Sequence, residues 1–137
     1  MILDAKDLIA GRIGTVVAKK AILGEEIFIV NADLAVITGS KKNILAKYST
    51  QDVRGEPFHG PFLPKIPDRF LKRMIRGMLP YKLGKGRAAF KRIKCYKGVP
   101  KAFQDKNLET IEKAHVAKTQ TLKYLTIGEV CRLLKLR

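Results

Sequence analysis

Two short apolar runs, Ile27-Phe28-Ile29-Val30 and Leu34-Ala35-Val36-Ile37, constrain this chain more than any other feature. Neither alternates with polar residues, so neither suits a strand with one face in water. Continuous apolar runs of this length fit strands covered on both faces, as in a parallel sheet flanked by helices. Asn31-Ala32-Asp33 between them reads as a turn. Upstream, Ile2-Leu3 is a short strand candidate and Asp7 stands where a helix cap would sit. Ile9, Ile13, Val16, Val17 and Leu23 then recur as one face of a helix ending near Gly24. Strand, helix and strand in that order predict an α/β fold. The 137 residues suit one domain, 1–137, and a hydrophobic content of 46% is enough for a core.

Further along, Ser40 opens a helix over Lys41 to Tyr48. Residues 54–67 hold four prolines and two glycines and read as an extended loop. A helix follows from Asp68, with Phe70, Leu71, Met74, Ile75, Met78 and Leu79 forming one stripe. Arg69, Lys72, Arg73 and Arg76 fall on the other side, and Pro80 ends the element. Gly84-Lys85-Gly86 reads as a break before a short basic helix from Arg87 to Ile93. Lys94 to Lys97 supplies a fourth strand, closed by Gly98-Val99-Pro100. Thr126-Ile127-Gly128-Glu129 has capping-box spacing and opens a C-terminal helical extension within 121–137. Residues 102–120 are polar and carry no clear period, and no internal repeat is evident.

Charge narrows the partner. Lys and Arg number 28 against 12 Asp and Glu, a formal net of +16. By position, residues 1–37 carry a net −1, residues 38–101 a net +14 and residues 102–137 a net +3. A chain that is merely soluble intersperses its signs. Here one contiguous stretch holds most of the field, which favours a polyanion. Nucleic acid comes first and an anionic membrane surface second. The basic helices lack the exposed large aromatics of an interfacial helix, and no apolar run reaches the ~18 residues of a membrane span. The first residues lack the features of an export signal, so the cytoplasm is the expected location.

Catalytic and cofactor motifs are weak. Gly11-Arg12-Ile13-Gly14 between two strands, followed by Asp33, imitates a mononucleotide-binding unit. The fingerprint G-x-G-x-x-G fails, because Ile9 stands where its first glycine belongs. Gly11 and Gly14 are better read as permitting close helix–sheet packing. No Walker lysine motif occurs. His59 and His115 are the only histidines, and neither belongs to a nucleophile or metal motif. Cys95 and Cys131 lie 36 positions apart and read as core or semi-buried thiols. Asp52, Glu56 and Asp68, the acids of the basic stretch, are expected to orient neighbouring arginines. No enzymatic activity, cofactor, metal or small-molecule substrate is expected.

The basic set itself calls for an anion. After Arg69, Lys72, Arg73 and Arg76 come Lys82, Lys85, Arg87, Lys91, Arg92, Lys94, Lys97 and Lys101, with no acid among them. Ion pairing within helices cannot neutralise that set. Phosphate can, through arginine forks and lysine point charges. Lys41, Lys42, Arg54 and His59 complete the candidate contacts, with Arg73, Arg76, Arg87 and Arg92 expected as the main clamps. Gly84 and Gly86 would let backbone amides approach phosphates, and Phe58, His59 and Phe62 offer rings to unpaired bases.

Residues 73–100 also carry a family pattern. Arg76-Gly77-Met78-Leu79-Pro80, Gly86-Arg87-Ala88-Ala89 and Ile93-Lys94-Cys95-Tyr96-Lys97-Gly98 resemble the large-subunit ribosomal protein family numbered thirteen. Three further stretches agree in order: Asp4-Ala5 before Gly11-Arg12, Val30-Asn31-Ala32 before Ile37-Thr38-Gly39, and Arg54-Gly55 before the proline-rich loop. The resemblance implies a three-layer α/β/α domain with a small, mainly parallel sheet, four-stranded on the strand candidates above. It implies a structural role: binding large-subunit rRNA beside neighbouring ribosomal proteins and helping the subunit assemble. The short N-terminus and Gly98-Val99-Pro100 resemble the archaeal and eukaryotic branch, since bacterial members commonly carry a His-Pro pair just after this point. The long C-terminal extension typical of eukaryotic members is missing, which makes an archaeal-type member the expectation.

Overall fold

A computed structural model describes residues 1–56 and 58–136. Pro57 of the proline-rich loop and Arg137 at the chain's end lie outside the described residues. Strand β1 (Ile2–Asp4) leads through helix α1 (Ala10–Ile22) to β2 (Ile27–Val30) and β3 (Val36–Thr38). Helices α2 (Lys41–Val53), α3 (Pro67–Arg76) and α4 (Gly84–Lys91) then precede β4 (Ile93–Cys95). Three short 3-10 turns, at Lys101–Phe103, Glu112–Ala114 and Val116–Lys118, lead to β5 (Tyr124–Thr126) and helix α5 (Ile127–Lys135).

The α/β class expected from the apolar runs is the one the chain adopts. β2 lies between β1 and β4, and both pairings are parallel, with Leu3 beside Ile29 and Ile27 beside Ile93. Side chains alternate across a strand, so Leu3, Ile27, Ile29 and Ile93 share one face. All four are fully buried, each contributing roughly 1.5–3 kcal/mol. Phe28 points to the other face, where its ring meets Phe103 at 5.1 Å between centroids. One cluster of buried side chains runs from Leu3 to Leu134 and takes in Ile13 and Val17 of α1, Phe70 and Ile75 of α3, and Val130 of α5.

The sheet differs from the expected four strands in one. Three strands form the parallel sheet, and β3 pairs antiparallel with β5 in a separate two-stranded sheet. The reason lies in the backbone partners of β3. The amide of Val36 donates to the Leu8 carbonyl at 2.8 Å, and Gly39 donates to Lys123 at 2.8 Å. β5 was not foreseen. The capping box that follows it is present, with Thr126 N donating to Glu129 Oε2 at 3.0 Å and Glu129 N to Thr126 Oγ1 at 3.2 Å.

Several boundaries also shift. Asp7 does not cap α1, whose N-cap is Ile9 without a side-chain bond; Asp7 instead occupies the left-handed region at φ 57°. α2 runs on past Tyr48 to Val53. α3 ends at Gly77, three residues before Pro80. Gly84 and Gly86 are not a break, since they form the first turn of α4. A methyl group at Gly86 would run into the Pro80 carbonyl, whereas one at Gly84 would meet open space. Gly14 serves helix–helix packing: a Cβ there would lie 2.6 Å from the Met78 sulfur. Nothing crowds Gly11.

Both cysteines are free, Cys95 half-buried and Cys131 buried, as read from the sequence. Burial pushes the Cys95 thiol up to about 12 and the Cys131 thiol up to about 11. The unfolded chain therefore releases these protons first, near pH 8.5–9, and stability falls as pH rises beyond that point. At pH 8 we expect both thiols to resist a disulfide reagent until urea unfolds the chain. Rapid reaction of the native protein would contradict this burial. Gly86→Ala is expected to lower unfolding stability by about 1–3 kcal/mol through overpacking against Pro80. Gly84→Ala should be neutral or stabilising by up to about 1 kcal/mol. Urea titration distinguishes the two.

Candidate nucleic-acid interface

α3 sets the geometry. Pro67 takes the first helical position, where its fixed φ suits the helix and its missing amide costs nothing. Asp68 accepts a hydrogen bond from the Arg69 amide at 2.6 Å. Phe70, Leu71 and Ile75 face the core. Spacing of three and four residues then places Arg69, Lys72, Arg73 and Arg76 together on the opposite side.

α4 and the loop before α3 turn that row into a groove. The Tyr81 and Phe90 rings meet edge-to-face at 5.4 Å. A cation covers each ring: Arg76 Cζ lies 5.2 Å from the Tyr81 centroid and Lys72 Nζ lies 4.8 Å from that of Phe90. Arg73 Nη1 donates to the Phe62 carbonyl, tying the loop to the helix. Phe62, Pro64, the four cations of α3 and Phe90 bound an open groove of about 430 Å³. On its far side Arg73 also borders a depression of about 450 Å³ shared with Lys47, Gln51 and Arg54.

The acids of this region leave the row unpaired. Asp52 holds Lys65 at 2.8 Å, Glu56 holds His59 at 3.2 Å, and Asp68 is turned to the helix amide. None of the three orients an arginine, which corrects the expectation from the sequence. Among the described residues, Arg69, Lys72, Arg73 and Arg76 form no ion pair with a carboxylate. Among the described residues, four cations thus share one groove without a carboxylate paired to any of them.

The remaining candidates are more dispersed. Lys41 and Lys42 lie exposed in the first turn of α2, with Ser40 accepting from the Asn43 amide at 3.4 Å. Lys85 and Arg87 lie exposed in the first turn of α4. Cations at helix N-termini work against the helix dipole, so these four do not serve the stability of their own helices. Arg54, His59, Lys82, Lys91 and Lys97 are also exposed. Arg87 Nη2 donates to the Lys82 carbonyl at 3.1 Å. Lys94 Nζ stands 5.3 Å from the Phe28 ring centroid. Arg92 is half-buried and donates to the Ala21 carbonyl at 3.3 Å, at the C-terminal end of α1. That bond gives Arg92 a structural duty which its place in a basic run concealed. Lys47 and Phe90 were not foreseen, because their neighbours lie far away in the chain. The buried Gly86 is pressed against Pro80, which accounts for it without a phosphate.

The nucleotide-like unit is closed by the chain itself. Asp33 Oδ1 accepts from the Gly98 amide at 3.2 Å. The segment after the sheet lies against the start of α1: Ile9 N donates to the Ala114 carbonyl at 2.8 Å and Arg12 Nη1 to that of Lys113 at 2.9 Å. His115 Nδ1 accepts from the Ala117 amide at 3.1 Å. Among the described residues no three or more His, Cys, Asp or Glu side chains gather as metal ligands, and no helix is long and apolar enough to cross a membrane.

Comparison with known proteins agrees with the motif pattern. The family model described as ribosomal protein L13 matches residues 1–102. A protein of Methanosarcina barkeri named large ribosomal subunit protein uL13 is 48% identical over 130 residues, covering 94% of this chain and 93% of its own. Its namesake in Methanococcoides burtonii is 44% identical over 131 residues, with 96% and 94% coverage. That of Archaeoglobus fulgidus is 42% identical over 137 residues, with 99% and 88% coverage. The chain therefore belongs to the ribosomal protein L13 family.

Proposed function

We propose that this chain is a structural constituent of the large ribosomal subunit of an archaeal-type, cytoplasmic ribosome. It binds large-subunit rRNA, neighbours other ribosomal proteins and supports assembly of the subunit, without catalysis and without a cofactor. The observation that carries this reading is the unpaired row Arg69, Lys72, Arg73 and Arg76 on the exposed side of α3. Lys41, Lys42, Lys82, Lys85 and Arg87 extend the same field. Such contacts position the protein through phosphates and RNA shape, since side chains do not read the deep groove of A-form RNA. The relatives' name, large ribosomal subunit protein, supports the assignment of partner.

Arg69 and Arg76 test it most cleanly, because neither side chain makes a hydrogen bond among the described residues. In filter binding to a large-subunit rRNA fragment, Arg69→Ala with Arg76→Ala should flatten the dependence of log K on log salt by about two. Affinity at low salt should fall at least about tenfold, while stability should fall by no more than the ~0.5–1 kcal/mol of the Arg76–Tyr81 contact. An unchanged salt slope would remove α3 from the interface. Arg92→Ala should behave in the opposite way, costing roughly 1–2 kcal/mol of stability with little change in slope.

A further inference from the structure

The groove on α3 offers more than charge, and one aromatic ring in it has an unclaimed face. Phe62 is 67% exposed in a loop whose backbone is tied down on both sides. Glu56 and Gly60 exchange backbone hydrogen bonds at 3.2 and 2.9 Å, Arg73 holds the Phe62 carbonyl, and Lys65 is paired to Asp52 at 2.8 Å. Gly60 lies in the left-handed region at φ 79°, and a Cβ there would come within 3.1–3.2 Å of the Phe62 ring. The Gly60 backbone therefore lies beside the Cδ2–Cε2 edge of the ring, and most of the ring is open to solvent. Arg69 and Arg76 border the groove beside it.

Resting on the rRNA-binding reading above, we propose that this groove takes one unpaired nucleotide of the RNA. The base stacks on Phe62 and the adjoining phosphates meet Arg69 and Arg76. The groove's ~430 Å³ falls within the range of small-ligand sites. Charge chooses this occupant over a protein segment. Protein interfaces place few charged residues at their centre and few lysines anywhere, whereas RNA-binding surfaces combine aromatic faces with arginine and lysine. A loop already tied to α3 through the Phe62 carbonyl loses less entropy when a base stacks on its ring. The same loop would present no partner to a continuous duplex, whose bases are stacked on one another.

The test uses the full chain and two probes with equal numbers of phosphates, a short single-stranded RNA and a fully paired RNA duplex. Phe62→Ala should weaken single-strand binding about 5- to 150-fold, the ~1–3 kcal/mol of one stacked base converted at ~1.4 kcal/mol per tenfold. Duplex affinity should change less than about twofold on this account, and the salt slope should stay as it was. Phe62→Leu keeps an apolar side chain over Gly60 but has no aromatic face, so it should resemble Phe62→Ala; Phe62→Tyr should bind like the parent. Thermal melting of each variant confirms that the loop change leaves the chain folded. Unchanged single-strand affinity in Phe62→Ala, with Arg69→Ala and Arg76→Ala still weakening binding, overturns the nucleotide site and leaves the rRNA reading standing. Equal losses on both probes, or full binding by Phe62→Leu, overturn stacking as the cause. If the arginine variants also bind RNA like the parent, the rRNA reading falls with it.

Discussion

Parallel pairing of β2 with both of its neighbours is the constraint on which the rest of this structure depends. Two parallel strands cannot be joined by a tight turn; the chain has to leave the sheet and come back in the same direction. Between β1 and β2 that return is made by α1. Between β2 and β4 it takes in everything from Asn31 to Arg92, which includes α2, the proline-rich loop, α3 and α4. Most of the cationic stretch is thus a crossover that leaves the sheet after Val30, at one end of β2, and re-enters at the other, where Ile93 meets Ile27. A nearly neutral framework holds a strongly charged connection.

That connection repels itself, and magnitudes show why it still folds. Like charges three or four residues apart on a helix destabilise it by about 0.2–0.5 kcal/mol per pair. Burial of Phe70, Leu71 and Ile75 on the other side of α3 contributes roughly 1.5–3 kcal/mol each. The apolar side therefore outweighs the charged side several times over. The rings of Tyr81 and Phe90 add at least about 0.5–1 kcal/mol for each cation they face, the exposed Arg76 and the half-buried Lys72. They also give Lys72 and Arg76 a surface to lie against. Folding thus tolerates this repulsion without any carboxylate partner among the described residues.

How much of this could be read from the residues follows from where each signal resides. Apolar runs and the stripe of α3 are local, and they located β2, β3 and the buried side of α3 without coordinates. The unpaired cation row was legible for the same reason, since helical spacing alone groups residues 69, 72, 73 and 76. β5 was missed because Tyr124 and Leu125 are partly exposed and directly precede a capping box, whose helix signal is stronger. Residues 102–120 were opaque because backbone bonds hold much of the segment, as where Asp4 N donates to the Glu109 carbonyl and Glu109 N to that of Ile2, at 3.0 and 2.8 Å. Such bonds leave no period in the side chains. Gly86 was read as part of a break, and the bond from Arg92 went unforeseen, since their partners, the Pro80 and Ala21 carbonyls, are groups that no residue type reveals.

The use of residues 102–120 separates this fold from the nucleotide-binding units its first half resembles. In such a unit the phosphate is held by backbone amides at the start of the first helix, beside a glycine-rich turn. Here Ile9 occupies the turn, and the carbonyls of Lys113 and Ala114 take up Arg12 and the Ile9 amide at that end of α1. An anion held by helix amides is a single, enclosed phosphate group. Anions met by side chains on an exposed crossover are many, spread along a surface, and exchanged for counterions when they bind. The positive charge of this βαβ framework lies on the crossover and not at the helix end, as the proposed rRNA binding requires, and the four cations of α3 share the groove that Phe62 borders.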